Sequence, residues 1–465
     1  MSRGGARQIT LAGGGLVGSL LATGLARRGF EVEVLERRPD MRKARISAGR
    51  SINLAVSTRG IHALKQLGLA DEVLSRGIAM RGRMMHSVRG ELTFQPYGVE
   101  DWQCIYSISR GELNKQLLTA AERTGRVKVE FESRLKSARV LDDGVELEVE
   151  QGEGTLSRKL KRNQVIGTDG ATSALRTAVL AARGQRCSEE LLDYGYKELT
   201  IPPTAEGGFR FERNALHIWP RGNFMLIALP NFDGSFTCTL FLPYKGEVSF
   251  ERLADPATVK SFFETHFADA LRWIDDLEGS FFANPTGHMV TVRCPSWNAG
   301  GHALLMGDAA HAIVPFFGQG MNSGFEDCTE FFAAMDQGLE GEALFARMSE
   351  IRVANANAIA QMAIENFLEM RDKVGDTQFL REKALEKRLQ IRYPLEYISR
   401  YSLVSFSRVP YTIALEAGVR QAEFLRSVCA PGMDPEKIDI EALASRIRNE
   451  IAPVTRTDLP EGLKP

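Results

Sequence analysis

The run Gln8-Ile9-Thr10-Leu11-Ala12-Gly13-Gly14-Gly15-Leu16-Val17-Gly18 stands almost at the start of the chain and decides how the rest is read. Gln8 to Ala12 reads as a buried strand, and the glycines that follow form a GxGxxG turn. Leu20, Leu21, Leu25 and Ala26 then recur at helical spacing to about Gly29, and a second strand from Glu31 to Leu35 ends in Glu36. Strand, tight turn, helix, strand and acid in that order predict a dinucleotide-binding βαβ unit. Gly13 makes the turn, Gly15 lets backbone approach a pyrophosphate, and Gly18 lets helix and strand pack closely. The unpaired N–H groups at the helix start favour phosphates. Glu36, 23 residues beyond Gly13, can accept bonds from an adenosine ribose. The unit does not by itself choose among NAD, NADP and FAD. There is no Gly-Lys-Ser/Thr, which excludes a nucleotide triphosphatase loop.

Two later stretches extend the pattern. Val165-Ile166-Gly167-Thr168-Asp169-Gly170 is an apolar strand ending in Asp-Gly, and a helix begins over Ala171 to Arg176. Ala303-Leu304-Leu305-Met306 is a third buried strand. It ends in Gly307-Asp308-Ala309-Ala310-His311, followed by Pro315-Phe316-Phe317-Gly318-Gln319-Gly320-Met321-Asn322 and a helix start. An acid at the carboxyl end of a parallel strand sits where such sheets bind ligands. Asp308 can accept from a ribityl chain, and Gly318 and Gly320 remove side chains where backbone must approach a flat ring. The helix start after Gly320 points its positive dipole end at that ring.

The bulk numbers narrow the class. The chain has 465 residues, enough for two to three domains at roughly 100–200 residues each. Its net charge of -1 asks for no nucleic-acid partner. The six cysteines are scattered with no CxxC, which speaks against a disulfide framework or zinc site and for a reducing compartment. No apolar run reaches the roughly 20 residues a membrane span needs. The expectation is a cytoplasmic protein without a stable membrane anchor; a homodimer is left open. The histidines lack paired-ligand spacing, so no metal is expected, and no GxSxG elbow occurs. His311 is taken as structural, and the charged stretch from Phe379 to Arg392 as a solvated amphipathic helix.

The three motifs together resemble the FAD-binding signature of the single-component aromatic hydroxylases, the family that includes p-hydroxybenzoate hydroxylase. The resemblance implies an α/β fold: a Rossmann-like FAD-binding domain with an inserted antiparallel β-sheet substrate domain and C-terminal helices. The expected boundaries are 1–75, 105–185 and 290–375 for the discontinuous FAD domain, 76–104 and 186–289 for the substrate sheet, and 376–465 for the helical region. It also implies cofactor contacts at Gly13, Gly15, Leu16, Val17, Gly18, Glu36, Arg37, Asn53, Ala55 and Asp169. Asp308, Pro315, Gly318, Gly320, Met321 and Asn322 continue that set, and Arg110 matches an arginine that reaches the pyrophosphate. A second nucleotide motif is absent, in keeping with a family that binds NADPH only transiently.

Several stretches are similar, more narrowly, to the kynurenine 3-monooxygenase branch of that family. They include Gly49-Arg50-Ser51-Ile52-Asn53-Leu54-Ala55, Met80-Arg81-Gly82-Arg83-Met84-Met85-His86, Gln95-Pro96-Tyr97-Gly98, Gly195-Tyr196-Lys197-Glu198-Leu199, Asn214 to Pro220, Glu365 to Met370 and Arg400-Tyr401-Ser402. That branch takes L-kynurenine, an aminobenzoyl ring on an amino-acid tail, with NADPH and O₂ as cosubstrates. It forms 3-hydroxykynurenine through a flavin C4a-hydroperoxide, with no side chain as acid or base, within tryptophan degradation. A pocket for such a substrate needs a flat apolar slot and a grip on a carboxylate. Met225, Ile227 and Leu229 fall on one face of an expected strand. In the next strand Phe236, Cys238 and Leu240 alternate with Thr237, Thr239 and Phe241. Arg83, between two strand-like segments, offers a bidentate guanidinium, and Tyr97 a phenolic donor. Asn366, Glu369 and Met370 share one helix face. The resemblance implies substrate contacts at these and at Leu216, Phe241, Pro315, Phe316, Phe317 and Tyr401. Phe317 stands where some bacterial relatives carry His, so affinity does not carry over. The alternatives kept open are a hydroxylase of another aromatic acid, such as anthranilate or a hydroxybenzoate, and a non-catalytic flavoprotein redox sensor. A halogenase is disfavoured because no Trp-x-Trp-x-Ile-Pro segment occurs.

Overall fold

The structure is a computed structural model that describes residues 7–43, 53–152, 156–372 and 376–451. Gly49 to Ile52, part of the narrower resemblance, and residues 452–465 lie outside the described residues.

Leu11 and Ala12 on Gln8–Ala12, and Val34 and Leu35 on Glu31–Leu35, are almost wholly buried. Each fully buried Val or Leu side chain contributes about 1.5–3 kcal/mol. These strands form the middle of a six-stranded sheet. Its order is Asn298–Ala299, Ala303–Leu305, Val165–Gly167, Gln8–Ala12, Glu31–Leu35, Val127–Glu130. All neighbours are parallel except the first pair. The register lines up the carboxyl ends: Ala12 pairs with Gly167, which pairs with Leu305. Gly13, Asp169 and Asp308 therefore emerge along one edge of the sheet, the side where open parallel sheets bind ligands.

A second sheet has seven strands, in the order Gly287–Arg293, Ser188–Ile201, Phe236–Pro243, Met225–Pro230, Ala215–Pro220, Gly82–His86, Leu92–Pro96. It is antiparallel except where Gly82–His86 runs parallel to Ala215–Pro220. One face packs against the helices Pro256–His266, Ala268–Leu271 and Leu277–Ala283 through Trp219, Phe263 and Phe267. The other face turns toward the nucleotide sheet. Arg83 lies within a strand of this sheet, not between strands: Gly82 pairs with Ala215 and Arg83 with Leu216. Ile78–Met80, by contrast, pairs with Ile105–Ser109 in a small sheet with Asn53–Val56. That places it on the cofactor side of the expected boundary near residue 76.

The helices Gly341–Asp372, Arg400–Ser405 and Tyr411–Val428 close the far side of the space between the sheets, and Thr377–Arg392 packs on Tyr411–Val428 through Leu385 and Leu389. No helix among the described residues is long and apolar enough to cross a membrane.

Candidate active site

The first turn is held tightly. Gly13 has φ +106°, and a Cβ there would lie 2.4 Å from the Thr168 carbonyl oxygen. The Thr168 hydroxyl donates to Gly13 O at 2.8 Å. A Cβ at Gly18 would stand 2.0 Å from Gly13 O, so the helix can seat against the turn only without one. Gly15 caps Leu16–Arg27 with no side-chain partner, leaving its first N–H groups directed at the edge of the sheet.

One cavity of about 570 Å³ runs from this edge to the inner face of the seven-stranded sheet. Gly13, Gly15, Leu16, Val17, Glu36 and Arg37 line its nucleotide end. Asn53, Ala55, Arg110, Asp169 and Asp308 follow, and Pro315, Gly318, Gly320 and Met321 form the floor. Glu36 is almost fully buried; one oxygen accepts from Gly14 N at 2.7 Å and the other from Arg38 Nε at 2.8 Å. Burial works against its charge, but Arg38 and the backbone N–H groups outweigh it and hold its carboxyl below the usual range. Asp169 caps the next helix through Oδ2, which accepts from Ala174 N at 2.8 Å, while its buried Oδ1 has no partner. Burial pushes this carboxyl up.

These features fit FAD. Uncapped N–H groups at a helix start and the cations of Arg37 and Arg110 suit a pyrophosphate. The buried Glu36 suits a ribose and the half-buried Asp308 a ribityl chain, and a glycine floor lets a flat ring lie close.

The opposite end is apolar. Met225, Ile227, Leu229 and Phe241 form its wall with Leu216, and Phe316, Phe317 and Met370 close it. Arg83 projects into this space with Tyr97 and Tyr401. Tyr97 and Tyr401 stack with centroids 5.4 Å apart, and Phe317 stacks on Tyr401 at 5.6 Å. The guanidinium carbon lies 5.0 Å from the Tyr401 ring and 5.7 Å from that of Tyr97. Burial opposes the Arg83 charge, but Tyr401, Tyr97 and Glu369 raise its pKa on balance, so it stays a cation. Burial pushes both phenols up, keeping them neutral donors. Among the described residues no carboxylate oxygen lies within 4 Å of Arg83. The buried Tyr97 Oη interacts with the Arg83 guanidinium and with Tyr401 but makes no well-aligned hydrogen bond.

Four expected contacts do not reach the cavity wall. Gly18 acts through packing. Asn322 is fully buried; its amide donates to Ala55 O and Gly318 O, both at 2.8 Å, and its oxygen accepts from Ser57 N at 2.9 Å. It clasps the floor from below. Asn366 donates to Phe316 O at 2.8 Å, and Glu369 pairs with Arg400 at 3.4 Å and Lys383 at 3.6 Å. Asn53, although on the wall, donates to Asn231 Oδ1 at 2.6 Å and Ser107 Oγ at 3.1 Å, joining the small sheet to the seven-stranded one. Sequence reasoning missed Arg134, Leu135 and Lys136, which line the nucleotide end from the strand Ser133–Leu141, and Thr239, whose buried hydroxyl has no partner. Alternation had put Thr239 on the same face as Phe241; that was the available signal.

The FAD binding domain family matches residues 7–364. The kynurenine 3-monooxygenase of Myxococcus xanthus is 51% identical over 451 residues, covering 96% of each chain. That of Dictyostelium discoideum is 41% identical, covering 93% of this chain and 96% of its own. The chain belongs to the kynurenine 3-monooxygenase family. Its fold recurs well outside the kynurenine 3-monooxygenases. A tetrameric 2-methyl-3-hydroxypyridine-5-carboxylic acid oxygenase matches with TM-score 0.64 at 18% identity, covering 83% of this chain and 98% of its own. A p-nitrophenol 4-monooxygenase of Pseudomonas putida matches with the same TM-score and identity over 83% and 94%.

Proposed function

We infer that this chain is an FAD-dependent monooxygenase that converts L-kynurenine to 3-hydroxykynurenine with NADPH and O₂. Family membership supports the reaction. The observation that carries the substrate is Arg83: a cation in an apolar recess, beside an unsatisfied phenol and without a carboxylate of its own. A ligand that brings a carboxylate completes it. The guanidinium grips both oxygens and Tyr97 adds a third donor. The aminobenzoyl ring then lies against Met225, Ile227, Leu229 and Phe241, over the floor at Pro315 to Gly318.

On this reading the cofactor set is held as follows. The helix start at Gly15 and Leu16, with Arg37 and Arg110, takes the pyrophosphate, Glu36 a ribose, and Asp308 the ribityl chain. Bound FAD supplies the reduction of O₂ and the delivery of one oxygen atom to the ring. The chain itself contributes position and dryness. Arg83 and Tyr97 fix the amino-acid tail, which sets the distance from the ring carbon to the cofactor. The Met, Ile, Leu and Phe wall keeps bulk water out. Asn366 and Asn322 act indirectly, one by holding Phe316 and the other by holding Gly318. We assign cofactor binding to the six-stranded sheet with its helices, substrate cover to the seven-stranded sheet, and the cap to the C-terminal helices. NADPH as cosubstrate and six unpaired thiols support a cytoplasmic workplace.

The test mixes the yellow holoprotein with NADPH, O₂ and L-kynurenine and follows NADPH loss together with product mass. The expected result is a gain of one oxygen per NADPH consumed. NADPH loss yielding only hydrogen peroxide would transfer the activity to another aromatic acid.

A further inference from the structure

On the face of the seven-stranded sheet turned away from the cavity, two buried histidines and the half-buried Asp269 form an unbroken hydrogen-bonded chain. Asp269 Oδ2 lies 2.7 Å from His86 Nδ1, His86 Nε2 lies 2.9 Å from His217 Nδ1, and His217 Nε2 lies 2.8 Å from the Glu212 carbonyl oxygen. His86 and His217 are each 1% exposed, so water does not stand in for a missing partner.

The protons can be counted from the far end. A carbonyl oxygen only accepts, so His217 Nε2 carries hydrogen. The contact between His86 Nε2 and His217 Nδ1 needs one hydrogen, supplied by one ring or the other. Asp269 is ionised: burial opposes its charge, but His86 and the Trp219 indole N–H, 2.9 Å from both carboxylate oxygens, outweigh that. His86 Nδ1 faces this carboxylate and must donate to it. The three contacts therefore need three hydrogens, one more than two neutral imidazoles carry. The His86 ring stacks on Trp219 with centroids 3.9 Å apart.

The other charged groups nearby are consistent with this. Arg221 donates to His86 O at 3.0 Å and to His266 O at 2.7 Å, and its charge acts on Asp269. The His266 ring, its pKa lowered by burial and by Arg221, adds no charge. Glu212 turns its carboxylate to Asn214 N. Phe211 and Trp219 are uncharged.

What this chain holds is the hairpin that carries Arg83. Within the sheet Gly82–His86 pairs on its inner side with Ala215 to Ile218, and beyond it Leu92–Pro96 is an exposed edge strand. Arg83 faces the cavity; His86, three residues on, faces the opposite side. Tyr97 follows directly from the edge strand.

We propose that Asp269, His86 and His217 are positioning residues that share one proton beyond those of two neutral imidazoles and fix the hairpin presenting Arg83 and Tyr97 to the substrate. The proposal rests on the reading of Arg83 as the carboxylate grip. Nitrogen-15 NMR of the histidine-labelled holoenzyme tests the proton: the His86 and His217 rings are expected to show three protonated nitrogens between them at pH 7. Only two protonated nitrogens between them at pH 7 would overturn it. Asp269→Asn tests the positioning: KM for L-kynurenine is expected to rise about tenfold with kcat within about twofold and FAD affinity unchanged. An unchanged KM, or a fall in kcat and KM effects spread equally with loss of FAD, would overturn it. Normal substrate affinity in Arg83→Ala overturns the grip itself, and is told apart because it leaves the His86 signals as they are.

Discussion

The Tyr411 hydroxyl donates a 3.0 Å hydrogen bond to Gln319 Oε1. Both residues are buried, and Gln319 immediately precedes Gly320 on the cavity floor. The bond ties the helix Tyr411–Val428 to the turn beneath the ring site. Arg59 lies 3.9 Å from the Tyr411 ring and pairs with Glu326, so the tie continues into the helix Gly320–Asp336. Tyr411→Phe keeps the ring and strands a buried acceptor. It is expected to lower stability by about 1–3 kcal/mol. A urea titration checks this: the midpoint should fall with the slope unchanged.

Arg83→Ala is expected to weaken L-kynurenine binding by about 2–5 kcal/mol while FAD stays bound. Arg83→Lys should recover little of the loss, because an ammonium cannot reproduce the planar two-point grip. Calorimetric titration of each holoprotein with the substrate measures both. Near-normal affinity in the alanine variant sinks the assignment.

Gly18→Ala places a methyl group where the Gly13 carbonyl stands. Either the helix or the turn must move. The expected cost is about 1–3 kcal/mol of stability, with loss of bound FAD because the N–H groups at the helix start lose their aim. Flavin absorbance after gel filtration reads the cofactor content.

Acid should destabilise the fold before base does. Burial pushes the His217 pKa down to about 4, below the ordinary histidine value of 6.5. Between these values the unfolded chain binds more protons, so the stability it contributes is complete above about pH 6.5 and is lost as pH falls toward 4. Glu326 and Asp327 act in the same direction at lower pH: burial opposes their charges, but Arg59, Arg352 and His311 outweigh it and lower both pKa values. Glu198 has the opposite sign. Burial raises its pKa from 4.5 to about 7, so its contribution is lost as pH rises through that interval. Glu198→Gln should therefore raise the melting temperature above pH 7 and leave it unchanged below about pH 4. A rise that is the same at both ends would contradict the assignment.

The nucleotide end was readable because its chemistry is local. Turn, helix start and acid lie within one short stretch from Gly13 to Glu36, and each residue type answers a backbone requirement. The substrate end was readable only in part. Alternation placed Met225, Ile227 and Leu229 on one face, since a strand repeats every two residues. It could not show that Arg83 sits inside a strand: Gly82-Arg83-Met84-Met85-His86 contains no β-branched residue, and its pairing partner lies 133 residues away at Ala215. Helical spacing put Asn366 and Glu369 together but could not reveal that the carbonyl of Phe316 and the side chains of Arg400 and Lys383 had already claimed them. Arg134 and Lys136 flank Leu135 as charged residues do on any solvated strand, and nothing local marks them as cavity wall.

The central sheet also sets a schedule for synthesis. Gln8–Ala12 is made first, yet its inner neighbour Val165–Gly167 pairs with it across 155 residues, and Gly320 of the floor comes later still. At 5–20 residues per second an apolar strand lacks one of its partners for roughly 8–30 s, and Gly320 follows Gly13 by roughly 15–60 s. Cofactor capture must wait for the last third of translation. The chain is therefore one whose yield should respond to slower synthesis, lower temperature and holdase chaperones more than its finished stability suggests.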